Sequence, residues 1–152
     1  MKVYRIALTK HINDLTGIGA RLYGGRWNKK GVGLIYTSET RALATVEYLV
    51  HMPMTFVPDD LSIATIEIPD SIKPKNIKIS NLPKNWRGDP SPYELAEIGT
   101  EWVLSNKSLL LHVPSATVEH EFNILVNPSH PDMKRVKISN IEKYKFDGRL
   151  KR

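Results

Sequence analysis

Gly17-Ile-Gly-Ala-Arg-Leu-Tyr-Gly-Gly-Arg-Trp-Asn-Lys-Lys-Gly-Val-Gly33 is the stretch on which the reading of the fold turns. It follows a strand pattern at Val3–Leu8 and begins Gly-x-Gly, as a dinucleotide-binding turn would. The third glycine of that fingerprint is replaced by Leu22, and the spacing predicts no helix starting at Gly19. A doubly wound nucleotide domain is therefore not expected. The glycines and Asn28 instead supply positions for tight turns and close backbone approach, so the stretch reads as a structured loop.

Outward from this loop the chain alternates strands with two main helices. A short apolar run, Leu34–Tyr36, comes next, and then a helical pattern over Glu39–His51, with Thr37 or Ser38 as cap. Its apolar face is read from Ala42, Val46, Leu49 and Val50, widened by Leu43. At about 100° per residue, Glu47 falls roughly 140° from Ala42, at the margin of that stripe. Residues 52–60 read as a loop, Leu61–Ile68 as a β-branched strand and Ile77–Ile79 as a short one. A second helix is signalled by Ser91, Pro92 and Glu94 in capping-box order, with Leu95, Ile98 and Trp102 as its buried face. Ser108–Val113, Glu121–Val126 and Arg135–Ile141 complete the strands. The expected class is α+β, with a mostly antiparallel sheet as its core.

Length and composition bound the possibilities. At 152 residues with 41% hydrophobic and 25% charged side chains, the chain suits one globular domain over 1–152. The absence of cysteine excludes disulfides, iron–sulfur ligation, thiolate zinc and a cysteine nucleophile. Five histidines form no i, i+4 pair, so no metal site is expected. No run approaches the ~20 apolar residues of a membrane span, and Arg5 and Lys10 interrupt any signal-peptide core, which suggests a cytoplasmic protein. The net charge of +6 resides entirely in 134–152, where eight basic residues meet two acidic ones. That segment carries no aromatic stacking platform, so direct nucleic-acid contact is the weaker reading of its charge.

Two features look chemical. Arg5, Arg21 and Arg26 crowd the glycine-rich loop beside Tyr4, Tyr23 and Trp27, and planar guanidinium groups suit a phosphate or diphosphate. Glu47 places a carboxylate beside an apolar helix face. The bland alternatives are arginine stems packed on rings and a structural ion pair.

The order of motifs goes further. Tyr4-Arg5, Gly19-Ala20, Gly24-Gly25-Arg26-Trp27-Asn28, Tyr36-Thr37-Ser38, Ala44-x-x-Glu47, Gly99-x-x-Trp102, Val113-Pro114-Ser115-Ala116 and Asn127-Pro128-x-His130-Pro131 occur in this sequence in that order. Together they resemble the RES-domain family, named for an arginine, a glutamate and a serine, over about residues 4–131. The Val118-Glu119-His120 stretch departs from the proline-containing connection of that family. The resemblance implies a fold similar to ADP-ribosyltransferase toxins and the role of toxin in a bacterial toxin–antitoxin pair. It also implies a cognate helix-turn-helix antitoxin of the Xre type, and NAD as substrate with no prosthetic group. Carried over residue by residue, Arg26, Glu47 and Ser115 are the catalytic set, and Tyr4, Arg5 and Tyr36 join Arg26 in binding NAD.

Such chemistry would break the nicotinamide–ribose bond by hydrolysis or phosphorolysis, and transfer of ADP-ribose to a protein is the alternative. The bond leaves an oxocarbenium-like ribose, which favours negative charge near the anomeric carbon and positive charge around the diphosphate. Glu47 is expected to supply the first, Arg26 with Arg5 the second, Tyr36 to border the nicotinamide, and Ser115 to orient substrate by hydrogen bonding. A basic nucleic-acid module acting through 134–152 is the reading from a different class.

Overall fold

The computed structural model describes residues 1–52 and 54–151. Seven strands form one sheet: β1 (Lys2–Leu8), β2 (Ile35–Ser38), β3 (Leu61–Glu67), β4 (Lys75–Asn76), β5 (Leu110–Pro114), β6 (Phe122–Val126) and β7 (Lys137–Tyr144). Their order is β4-β5-β6-β2-β1-β3-β7, and every described pairing is antiparallel except β4 with β5. The first two strands thus sit at the centre. The C-terminal half supplies β5 and β6 on one side and β7 at the far edge.

Strand alternation sends side chains to two faces. Leu110, Ile124 and Val126 join Val3, Ile35 and Ile66 in one core, while Leu111, Val113 and Leu125 join Trp27, Leu95 and Trp102 in the other. Helix α3 (Tyr93–Ser105) packs against the second core through Leu95, Trp102 and Val103. Helix α2 (Arg41–Val50) lies against β1 and β2. The expected class, α+β on a mostly antiparallel sheet with two main helices, is the observed one. Among the described residues, no helix is long and apolar enough to cross a membrane.

Four local expectations are corrected. A short helix, α1 (Ile18–Tyr23), does form after Gly17, where none was expected. Gly17 at φ +69° starts it, and a Cβ there would lie 2.6 Å from the backbone nitrogen of Leu34, so only glycine fits. Helix α2 is capped by Thr40, whose side chain accepts from the Leu43 amide. Thr37 and Ser38 are unavailable as caps because their hydroxyls donate to the Ile124 carbonyl and to Asn123 on β6. Helix α3 starts after Pro92 with no side-chain cap, so the Ser91 capping box is not used. The strand expected at Ile77–Ile79 lies earlier, at Lys75–Asn76, and Ile79–Asn81 turns as a 3-10 helix.

Candidate active site

A cavity of about 480 Å³ opens on the second-core face of the sheet, bordered by β1, β2, β6, α1 and α2. Tyr4, Arg26, Tyr36, Glu47 and Asn123 all line it. Residues that lie 119 positions apart in the chain at the extremes thus meet in one cleft, because β1 and β2 are flanked by the late strand β6.

Glu47 does not stand at the margin of an apolar stripe. The buried residues of α2 are Leu43 and Ala44, whereas Ala42 and Val50 are exposed. Glu47 lies four residues after Leu43 and three after Ala44, so it shares their sheet-facing side. There the carboxylate accepts three hydrogen bonds. Oε1 takes one from Ser115 Oγ at 2.7 Å and one from Asn123 Nδ2 at 2.6 Å, and Oε2 takes a longer one from Thr117 Oγ1 at 3.3 Å. Both oxygens act as acceptors, the role of a carboxylate, and the side chain stays half-buried.

Ser115 differs from its expected part. It is 2% exposed, and its Oγ donates to Glu47 while accepting from the amides of Thr117 and Val118. With these partners the hydroxyl is turned to the carboxylate and its own loop, not to the open cavity. The Val118-Glu119-His120 stretch closes that loop without a proline, through a bond from the Ser115 amide to the Glu121 carbonyl and a positive φ at His120.

Arg26 is displayed by a tight turn. Gly25 and Asn28 exchange backbone hydrogen bonds, so Arg26 and Trp27 form its tip. The turn is clamped from three directions. Asn28 Nδ2 donates to the carbonyls of Ala20, Lys29 and Val32; the Tyr36 hydroxyl donates to Asn28 Oδ1 and accepts from the Trp27 amide. Trp27 packs on α3 at Gly99, where a Cβ would come 1.8 Å from the Trp27 carbonyl oxygen. The Arg26 guanidinium borders the cavity and donates to the carbonyls of Trp86 at 2.8 Å and Gly88 at 3.1 Å. Among the described residues, two of its five N–H groups are engaged in this way.

Of the other carried-over residues, Tyr36 and Arg5 behave differently from each other. Tyr36 borders the cavity with its ring, while its hydroxyl is spent on the Arg26 turn. Burial pushes that phenol far above its usual range, outweighing the Trp27 amide and the nearby Arg26 charge, so it stays protonated. Arg5 lines the same cavity as Arg26, but its guanidinium is engaged by a different part of the chain. Arg5 pairs with Ala64 across β1 and β3, and its guanidinium donates to the carbonyls of Asp14 and His11. The alternation of β1 turns neighbouring side chains to opposite faces, yet Tyr4 and Arg5 both border the cavity, the Arg5 guanidinium being tied to those two carbonyls. Burial lowers the Arg5 pKa, partly offset by Asp14.

Sequence reading missed Asn123, Thr117 and the link from Ser38 to Asn123. One signal was available: Asn123 is the lone polar residue in Phe122-Asn-Ile-Leu-Val126, a run that otherwise reads as buried strand.

Comparison with known proteins finds relatives of this chain in both sequence and fold. The RES domain matches residues 2–147. The chain is 40% identical to Toxin Res of Yersinia enterocolitica over 99% of its own length and 100% of that protein. It is 37% identical to the Prs ADP-ribosylating toxin of Sphingobium sp. over 95% of its length and 91% of that protein. Its fold is similar to a chain of the M. tuberculosis MbcT–MbcA toxin–antitoxin complex, with a TM-score of 0.74 over 94% of this chain and 83% of that one, at 17% identity. From the near-complete match of the family and from relatives aligned almost end to end, the chain belongs to the RES-domain family of toxins.

Proposed function

We propose that this chain cleaves the nicotinamide–ribose bond of NAD, with water or phosphate as acceptor. The observation that carries the reading is the Glu47 carboxylate, held by Ser115, Asn123 and Thr117 at the wall of a cavity that Arg26 also borders. A cavity of about 480 Å³ falls within the span of small-molecule sites, roughly 300–1,000 Å³.

In this reading Glu47 faces the nicotinamide ribose and stabilises the positive charge that develops as the bond breaks. Nicotinamide leaves from a cationic ring and becomes neutral, so the departure calls for no proton donor. Arg26 directs its remaining N–H groups to the diphosphate, and the Tyr36 and Tyr4 rings border the nicotinamide end. Ser115 acts on substrate only through Glu47. A partly desolvated cleft strengthens each of these electrostatic terms.

The name of the Sphingobium relative favours a second acceptor, a protein side chain. The bond broken is the same, and only the nucleophile differs. A helix-turn-helix antitoxin of the Xre type is the proposed partner. The exposed Leu22 and Tyr23 of α1, beside a cavity that Tyr23 itself lines, offer apolar surface for it to cover.

The deciding experiment follows NAD and nicotinamide in the purified protein, freed of any bound partner, with and without inorganic phosphate. Glu47→Gln keeps the shape and removes the charge, so kcat should fall by about 10²–10³-fold with little change in KM. Phosphate dependence would separate phosphorolysis from hydrolysis. No loss of NAD in either buffer, from folded protein, would shift the reading to a protein acceptor.

A further inference from the structure

We propose that Asn123 is a positioning residue for the reaction, fixing Glu47 so that Oε1 is anchored and Oε2 is the working oxygen. This inference rests on the NAD-cleaving reading of the cavity. The two oxygens of Glu47 are treated unequally: Oε1 takes the two short bonds, at 2.7 and 2.6 Å, whereas among the described residues Oε2 has only the 3.3 Å bond from Thr117. A saturated acceptor cannot readily approach a ribose; a weakly engaged one can exchange its partner for substrate.

The amide is itself held in orientation. Ser38 Oγ donates to Asn123 Oδ1 at 2.7 Å, and Ser38 and Asn123 are register partners across β2 and β6. Because the carboxylate can only accept, the NH2 group of Asn123 must face Glu47 and the carbonyl must face Ser38. The sheet register therefore dictates the rotamer of Asn123, and Asn123 dictates that of Glu47. Asn123 also lines the cavity, so the anchor lies at the reaction site and not behind it. Ser115 alone would leave the carboxylate free to rotate about a single bond.

The test compares Asn123→Asp, Asn123→Ala and Ser38→Ala with the unaltered protein. NAD turnover is measured as separate kcat and KM values across acid to alkaline pH, with thermal unfolding to verify the fold. Asn123→Asp places a second carboxyl against Oε1, and the two must share a proton. Its kcat should fall by about 10²-fold at neutral pH with KM nearly unchanged, because misplacing a catalytic group by ~1 Å costs that much. Part of the activity should return on the acid side, an added ionisation that a merely structural residue would not produce. Asn123→Ala should lose kcat without the added ionisation, and Ser38→Ala should lose less. If Asn123→Asp does not fold, the alanine variants carry the test through their kcat-against-KM split.

A second readout does not depend on turnover. The 13C carboxyl signal of Glu47, assigned through Glu47→Gln, should respond to pH differently in Asn123→Asp than in the unaltered protein. Unchanged kcat, pH profile and 13C titration in Asn123→Asp would overturn the proposal, as would Asn123→Ala raising KM alone. An unaltered protein that releases no nicotinamide would sink the NAD reading instead, and the 13C titration would still decide whether Asn123 holds Glu47.

Discussion

Arg26 spans two carbonyls, those of Trp86 and Gly88, with two different terminal nitrogens. A lysine at this position offers one compact ammonium and cannot bridge both while also facing the cavity. Arg26→Lys should therefore raise KM for NAD and lower kcat/KM, and an unchanged kcat/KM would count against the diphosphate clamp. Ser115→Ala should act in two ways. It removes one short bond from Glu47 and leaves the Thr117 and Val118 amides without their acceptor, a cost of about 1–3 kcal/mol where they are buried. Unfolding by denaturant and NAD turnover should both register the change. At this scale the sequence marked Arg26, Glu47 and Ser115 as one set, but it could not show which of them face the cavity. Tyr4 and Arg5 are adjacent in the chain and were read as one cluster. Both border the cavity, but the Arg5 guanidinium is taken up by the carbonyls of Asp14 and His11, and only the folded chain reveals that engagement.

The elements show why some boundaries were legible and others not. Long periodic segments were readable: β3 and the buried residues Leu95 and Trp102 of α3 emerge where alternation and helical spacing placed them. Caps were not, because the hydroxyls of Thr37 and Ser38 found partners on β6, which lies more than 80 residues away. Tertiary partners thus overrode the local preference. The tilt of α2 was misread for a related reason. Ala42 looks apolar, but a methyl group weighs little against burying Leu43, and the choice moved Glu47 onto the sheet-facing side. Gly99 is the element-level feature most open to test. Its missing Cβ admits the Trp27 carbonyl, so Gly99→Ala must push the Arg26 turn and α3 apart. Overpacking of this kind costs about 1–3 kcal/mol or more, and both the unfolding midpoint and NAD turnover should drop. Acid tells on another turn, that of Asp14. Desolvation pushes its carboxyl up, but hydrogen bonds from Thr16 and the charge of Arg5 outweigh it, so it lies below the usual range. A depressed carboxyl stabilises the fold above its unfolded-state pKa of about 3.9, and that contribution is lost as pH falls through the folded value. The difference in Tm between the unaltered protein and Thr16→Val should accordingly shrink below about pH 4.

Over the whole molecule, the basic C-terminal segment becomes a brace. Strand β7 pairs with β3 at the sheet edge, and its side chains reach α2: Glu142 meets Arg41 at 2.7 Å, Tyr144 reaches Thr45, and Tyr48 packs on Phe146 just beyond the strand. Replacing Lys143 and Lys145 by glutamine should leave NAD turnover intact, whereas removing residues 137–152 should unseat α2 and abolish it. A basic module acting on nucleic acid would instead lose its activity in the lysine variant and show no NAD turnover to begin with. The sheet order has a last consequence, in the time taken to make the protein. The donors to Glu47 stand 68, 70 and 76 residues later in the chain. A ribosome therefore releases the glutamate long before it releases anything that can aim it. On the proposed role of Glu47, a nascent chain gains its catalytic centre only once β6 has emerged and slotted beside β2, so two fragments parted between α3 and β5 would each be inactive until they met.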